Sequence, residues 1–173
     1  ILLDNHGLMS TRSTGSLIDH IERLKPDVVQ IHNLHGYYIN FRNILLYLKR
    51  KNIPIVITLH DFWLMTGHCA YINDCCSKWK TGCYHCPRHK SYPSSLIDRS
   101  QRNWSLKTNI FERADNITFI PVSHWLDNKV AHSILRNCKR SVIQNGIDLH
   151  QFYIDRSECS IVPENKFVIL CVA

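Results

Sequence analysis

Short apolar runs rich in β-branched residues alternate along the chain with longer segments whose apolar residues recur at helical spacing. Four runs predict buried strands, and they read DVVQIHN, IPIVITLHD, ITFIPVS and SVIQNGIDL. These strands are expected at 28–32, 53–59, 117–123 and 141–144, the last ended by the Asn145-Gly146 turn. The helical stripes occupy 11–24, 41–52, about 94–114 and 124–135. Strands that alternate with helices predict βαβ units and a doubly wound parallel sheet of the α/β class.

Local signals mark several ends of these elements. Ser10 and Thr11 are N-cap candidates before the first helix, and Pro26 ends it. Ser123 is the predicted cap of the helix that follows the third strand. The boundaries of these helices are therefore predicted from capping and breaking residues as well as from periodicity.

The two ends of the chain suggest a piece of a longer protein. The chain opens on Ile1, and KFVILCVA at 166–173 has the pattern of a buried strand that is cut short. Residues 150–165 are polar and irregular, as in a linker. We therefore expect one domain over 1–149, a linker over 150–165, and the first strand of a second domain over 166–173.

Polar side chains follow all four predicted strands. In sheets of this kind, ligands bind beyond the carboxyl ends of the strands. A lone histidine after a strand is more often structural, but four polar clusters at one edge favour a binding site. The residues concerned are His32, Asn33 and His35, then His60 and Asp61, then Ser123 and His124, and finally Asn145, Gly146 and Asp148.

Composition narrows the class of protein without deciding its partner. The 173 residues suffice for one domain with a real core, and 45% hydrophobic residues with 20% charged residues argue against disorder. No run approaches the roughly 20 apolar residues that a membrane span needs. The net charge of +7 and eleven histidines suggest an anionic partner, although a basic solvated surface needs none.

Five of the eight cysteines fall in one stretch, GHCAYINDCCSKWKTGCYHCP at 67–87. Cys69, Cys76, Cys83 and Cys86 are spaced C-x6-C-x6-C-x2-C, and the last pair is a common half-site for tetrahedral zinc. Cys75 is an alternative to Cys76. A loop as long as 61–93 has little core of its own and benefits from a staple. Structural zinc, free thiols and disulfides all remain open on spacing alone.

The longer motifs resemble a known family. IPIVITLHDFWLMTGHCAY, CSKWKTGCYHCP, SYPSSLIDRS, PVSHWL and VIQNGIDLHQF together resemble bacterial family-4 glycosyltransferases of capsule, O-antigen and colanic-acid-type exopolysaccharide assembly. The resemblance implies the N-terminal, acceptor-side, Rossmann-like half of a GT-B fold, with a cysteine-rich loop inserted. It also implies that the first βα unit and almost all of the donor domain lie outside this chain, so that the isolated fragment is expected to be inactive.

The resemblance further implies a reaction and a set of residues. The enzyme would move a sugar, with retention of configuration, from a nucleotide-sugar to a growing, lipid-linked surface polysaccharide, without a catalytic metal. His60 matches the family histidine that reaches the donor sugar, and Asp61 would orient it or bind acceptor hydroxyls. The acceptor side of the cleft would be lined by His32, Asn33, His35, Tyr37, Ser123, Asn145, Gly146 and Asp148.

Such an enzyme works in the cytoplasm or at the inner face of the plasma membrane, where its donors are found. A reducing compartment disfavours disulfides among the cysteines. Two alternatives remain beside this interpretation. One is a zinc-stabilised module that binds nucleic acid or another anionic partner, which the scattered basic residues disfavour. The other is a secreted, disulfide-bonded binding protein.

Overall fold

The computed structural model describes residues 3–72, 76–112 and 114–153. Within them, four parallel strands form one sheet in chain order. Ile31 lies opposite Ile57, and Ile57 lies opposite Phe119. The predicted α/β class with a parallel sheet is therefore confirmed. The strands are β1 (Val29–His32), β2 (Ile55–Leu59), β3 (Ile117–Pro121) and β4 (Lys139–Arg140).

Helices connect the strands on one side of this sheet. Right-handed crossovers between strands in chain order place the connecting helices on the same face. In agreement, the first described helix packs against the second, and the second against the third. The helices are α1 (Thr11–Leu24), α2 (Phe41–Arg50), α3 (Ser100–Phe111) and α4 (His124–Val130), with 3₁₀ turns at Trp63–Met65 and Lys78–Lys80.

The core lies between the sheet and these helices. Leu45 and Leu48 of α2 are fully buried, as are Ile57 of β2 and Phe119 of β3. The rings of Phe111 and Phe119 meet edge to face, with centroids 5.3 Å apart. Each such side chain contributes about 1.5–3 kcal/mol through removal of apolar surface from water.

Two of the predicted caps have different outcomes. Ser123 caps α4, because its hydroxyl accepts a hydrogen bond from the Leu126 N–H at 3.1 Å. Ser10 occupies the cap position of α1 but makes no capping bond, since its hydroxyl donates to the Tyr37 carbonyl instead. The Ser10 side chain therefore binds the loop after β1 instead of capping α1.

The third helix begins later than predicted, at Ser100 rather than near residue 94. Carboxylates hold the preceding main chain in a loop. Asp98 accepts from the Ser100 N–H at 2.9 Å, and Asp4 accepts from the Arg99 N–H at 3.1 Å. Because Asp4 is remote in the chain, helical periodicity gives no sign of this boundary.

The fourth strand was predicted wrongly at 141–144. The ladder covers only Lys139–Arg140, although the N–H groups of Ser141 and Ile143 still donate to carbonyls of Phe119 and Pro121. The chain turns into α4 just after Pro121, so β3 offers no further partner. The strand expected at 166–173 lies outside the described residues.

No helix within the described ranges is long and apolar enough to cross a membrane.

Replacement of Leu45 by alanine tests the position of the core. Leu45 is 0% exposed, so Leu45→Ala should lower the free energy of unfolding by about 2–5 kcal/mol. Leu24→Ala is the matched control, because Leu24 is 65% exposed and its truncation should change stability by less than about 0.5 kcal/mol. Urea unfolding measures both values. Equal losses in the two variants would contradict this assignment of the core.

Candidate functional site

The carboxyl ends of β1 and β2 bring two histidines into contact. His32 is the last residue of β1 and is paired with Thr58, two residues before His60. His32 Nδ1 lies 2.9 Å from His60 Nε2, and the rings are stacked with centroids 5.2 Å apart. One imidazole must donate and the other accept, so the contact cannot persist with both rings doubly protonated.

A histidine–carboxylate contact lies beside this histidine pair. His35 Nδ1 is 3.5 Å from Asp61 Oδ2, and both side chains are largely buried. The other oxygen, Asp61 Oδ1, accepts from the Trp63 N–H at 2.8 Å. Asp61 is therefore fixed from two sides, with its charge held at the edge of the sheet.

The loop after β1 is held by a tyrosine. The Tyr38 hydroxyl donates to the Asn33 carbonyl at 2.8 Å and lies 3.2 Å from the His32 carbonyl oxygen. Asn33 has a φ of 35°, in the left-handed region that asparagine tolerates better than most residues. Burial raises the pKa of Tyr38, so the hydroxyl remains a donor at neutral pH. The predicted residues His32, Asn33 and His35 are thus brought together with His60 and Asp61.

Exposed tyrosines surround this cluster. Tyr92 meets His35 edge to face at 6.1 Å, and its ring lies 6.4 Å from that of Tyr71. Tyr37, Tyr71 and Tyr92 are 67%, 62% and 59% exposed, so their ring faces remain accessible. Sequence reasoning selected Tyr37 but missed Tyr71 and Tyr92, because position in a polar loop gives no indication of what a side chain faces.

The space between the cluster residues is small. A cavity of about 10 Å³ is lined by Asn33, His35, Thr58, His60 and Asp61, among others. That volume suits a single water molecule. A larger ligand would therefore bind on the open edge of the sheet, where the tyrosines lie.

The remaining predicted cleft residues do not contact this cluster within the described residues. Ser123 caps α4, as its N-cap geometry requires. Asp148 accepts from the His150 N–H at 2.9 Å and so closes its own turn. Asn145 and Gly146 are exposed in the segment after β4. Their predicted place in the cleft stays a prediction.

A fully buried lysine supports the turn behind Asp61, and sequence reasoning missed it. Lys107 of α3 donates to the carbonyls of Trp63 and Thr66, the latter at 2.9 Å, and its ammonium lies 3.5 Å from the Trp63 ring centroid. Burial lowers the pKa of Lys107 to about 7. No described carboxylate forms an ion pair with it. An isolated lysine in an amphipathic segment is normally solvated, so only its tertiary contacts reveal this role.

The start of the chain is tied to the loop by a buried pair. Asp4 Oδ1 lies 2.7 Å from His68 Nδ1, and both side chains are almost completely inaccessible. The Asn103 amide donates to the Asp4 carbonyl at 2.9 Å. Asp4 thereby joins the N-terminal segment, the loop after β2 and helix α3.

The four predicted cysteine ligands line one cavity of about 30 Å³. The Cys69 thiol lies 3.7 Å from Cys86 Sγ, and this hydrogen bond lowers the pKa of Cys86 to about 6. Burial raises the pKa of Cys83 to about 11, while its sulfur accepts from the Gly67 N–H at 3.2 Å. The described cysteines are free. Over 3–72, 76–112 and 114–153, no group of three or more His, Cys, Asp or Glu is gathered tightly enough to hold a metal ion.

A parallel α/β sheet with a polar site at its strand ends is consistent with the N-terminal half of a GT-B glycosyltransferase. Residues 1–151 match Glycosyltransferase Family 4, and the chain belongs to that family. It is 36% identical over 132 residues to an Escherichia coli (strain K12) protein named as a colanic acid biosynthesis glycosyl transferase, WcaC. The match covers 72% of this chain and 32% of that protein, so the chain spans about a third of this relative. No solved structure matches the chain.

Substitution of Gly67 tests the packing of the cysteine loop. A Cβ there would lie 2.1 Å from the Ser100 carbonyl oxygen and 2.8 Å from Cys83 Cβ, so Gly67→Ala should destabilise the domain by about 1–3 kcal/mol. Gly15 is the matched control, because it lies inside α1 and a Cβ there would meet nothing within 4 Å. Gly15→Ala should therefore stabilise the domain by about 0.5–1 kcal/mol. Thermal unfolding of both variants gives the signs. A stabilising Gly67→Ala would show that the loop does not pack on α3 in this way.

Proposed function

We propose that this chain forms the acceptor side of a retaining glycosyltransferase. The enzyme transfers a sugar from a nucleotide-sugar to a growing, lipid-linked surface polysaccharide. The observation that carries the proposal is the cluster of His32, His35, His60 and Asp61 at the carboxyl ends of β1 and β2, in a chain of Glycosyltransferase Family 4. The name of the Escherichia coli relative, colanic acid biosynthesis glycosyl transferase, supports the same class of product.

The cluster has the chemical groups that sugar transfer needs. During transfer the donor sugar becomes positively charged and its diphosphate leaves, so positioning and electrostatics supply most of the catalysis. His60 would donate a hydrogen bond to a hydroxyl of the donor sugar or accept one from it. Its ring is held by His32, whose Nδ1 lies 2.9 Å from His60 Nε2. Asp61, fixed by Trp63 and His35, would place negative charge near the developing positive centre.

The acceptor would lie along the open edge. Sugar rings have apolar faces that stack on aromatic side chains, and hydroxyls that bind polar ones. Tyr92 offers an exposed ring directly beside His35, with the exposed ring of Tyr71 next to it, and the cavity between the cluster residues is too small for a sugar. A glycan chain laid across the tyrosines would bring its terminal hydroxyl to the cluster.

Other parts of the proposal concern the setting of the reaction. The net charge of +7 supports peripheral association with the anionic inner face of the plasma membrane, in the cytoplasm where nucleotide-sugars are made. Residues 150–165 would link this domain to the donor domain, and Asn145, Gly146 and Asp148 would lie at that junction.

A structural zinc ion in the cysteine loop completes the proposal. Salt-sensitive oligonucleotide binding would favour the nucleic-acid alternative.

Removal of the His60 imidazole tests the catalytic assignment. The assay needs a chain extended through the C-terminal donor domain and a panel of nucleotide-sugars. His60→Ala should reduce kcat at least about 100-fold, because loss of one preorganised group at the reacting centre costs about 2.7–4 kcal/mol. His20→Ala on the exposed surface of α1 is the control and should leave turnover unchanged.

Full turnover by a folded His60→Ala protein would contradict the role of His60. Failure of the unsubstituted extended chain to use any donor would count against the enzyme itself. The anomeric configuration of the product, read by NMR coupling constants, would separate retention from inversion.

Truncation of Tyr92 tests the acceptor edge. Tyr92→Ala should raise KM for the acceptor several-fold with a smaller change in kcat, because an aromatic contact contributes about 0.5–1.5 kcal/mol. Tyr92→Phe keeps the aromatic face, so its KM for the acceptor should stay near that of the unsubstituted enzyme. An unchanged acceptor KM in Tyr92→Ala would place the glycan elsewhere.

A further inference from the structure

The cysteine cavity gathers four thiols that the proposed sugar transfer does not use. We infer that Cys69, Cys76, Cys83 and Cys86 bind one zinc ion as thiolates, in a structural site that fixes the loop between β2 and α3. All four line the same cavity of about 30 Å³. The site does not depend on whether the protein transfers sugar.

One edge of the coordination tetrahedron is already present. With Zn–S bonds of about 2.3 Å, two sulfurs of a tetrahedral site lie about 3.8 Å apart. Cys69 Sγ and Cys86 Sγ are 3.7 Å apart. As the described side chains stand, no group of three or more ligands is close enough to hold a metal ion. Zinc beside this pair would therefore require Cys76 and Cys83 to turn toward it from the walls of the same cavity. Binding displaces the thiol protons to solvent and requires no change of oxidation state.

The surroundings of the cavity suit thiolates. Hydrogen bonds from main-chain N–H groups to sulfur stabilise negative charge and orient metal ligands. The Gly67 N–H already donates to Cys83 Sγ at 3.2 Å. The Cys86 N–H donates to Asp98 at 2.6 Å, which fixes the main chain of the C-x2-C pair. Gly67 has no room for a Cβ, so this close approach depends on glycine.

Zinc would also give the buried lysine a counter-charge. Four thiolates and one Zn²⁺ carry a net charge of −2. Lys107 is fully buried and donates hydrogen bonds only to carbonyls of Trp63 and Thr66 in the described residues. Thr66 adjoins Gly67, whose N–H donates to Cys83 Sγ, so the ammonium lies near this cysteine. A tetrathiolate centre would compensate its ammonium. Through Lys107, the centre would stabilise the Trp63–Met65 turn that follows the candidate catalytic residues.

His68 is a poorer ligand than Cys76, although it lines the same cavity. Its Nδ1 is 2.7 Å from Asp4 Oδ1. Its buried Nε2 has no hydrogen-bond partner in the described residues. The contact with Asp4 holds the loop to the N-terminal segment, and the four sulfurs complete a tetrahedral site without His68.

The test is elemental analysis of the chain purified without chelator, with a thiol count on the same sample. We expect about one zinc per chain and four thiols that react only after a strong chelator is added. Cys76→Ser and Cys83→Ser should each lower the zinc content several-fold. Cys138→Ser is the matched control, because Cys138 lies outside the cavity beside the Phe111 carbonyl, and it should keep its zinc.

Cobalt substitution keeps the test decisive if a serine variant does not fold. Co²⁺ bound to the unsubstituted chain should show the visible bands of tetrahedral coordination and the sulfur charge-transfer intensity of four thiolates. Absence of zinc with all thiols freely reactive, or disulfides found by mass spectrometry, would overturn the proposal. Retention of zinc in Cys76→Ser with its loss in His68→Gln would overturn the four-cysteine assignment.

Discussion

The parallel pairing of β1 with β2 is the constraint on which the site depends. It aligns His32 with Thr58, so that the chain leaving β2 passes beside the end of β1 and sets His60 against His32. A slip of one residue would turn the side chains of one strand to the opposite face. The histidine contact is thus a consequence of sheet register, which the buried Ile31 and Ile57 maintain.

Buried polar anchors hold the long loop that follows β2. A loop of this length depends on specific contacts with the domain. Asp4 and His68 form a dehydrated pair, and Lys107 binds carbonyls of the loop from inside helix α3. Loss of one partner would leave a buried polar group unsatisfied, which is costly. The loop is therefore fixed by these polar contacts together with Phe62, Trp63 and Met65, which enter the core of the domain.

The position of these anchors connects the architecture with the proposed chemistry. Lys107 binds the turn behind Asp61, while Tyr92, from the same loop, flanks His35. The loop thus contributes to both sides of the site, as support for the charged cluster and as an exposed aromatic surface. An open edge of this kind suits an extended polymer better than a small enclosed ligand.

Periodicity along the sequence was sufficient for the parallel α/β class, for the first three strands and for the histidines that follow two of them. These features follow from local patterns of burial, which neighbouring residues specify together. Tertiary contacts decided the start of α3, the short β4, and the positions of Tyr92 and Lys107. Asp4 binds the main chain at Arg99 from 95 residues away, and β4 stops because β3 turns into α4. Contacts between segments so far apart in the chain leave no periodic pattern in the sequence, so these features are determined only when the tertiary structure forms.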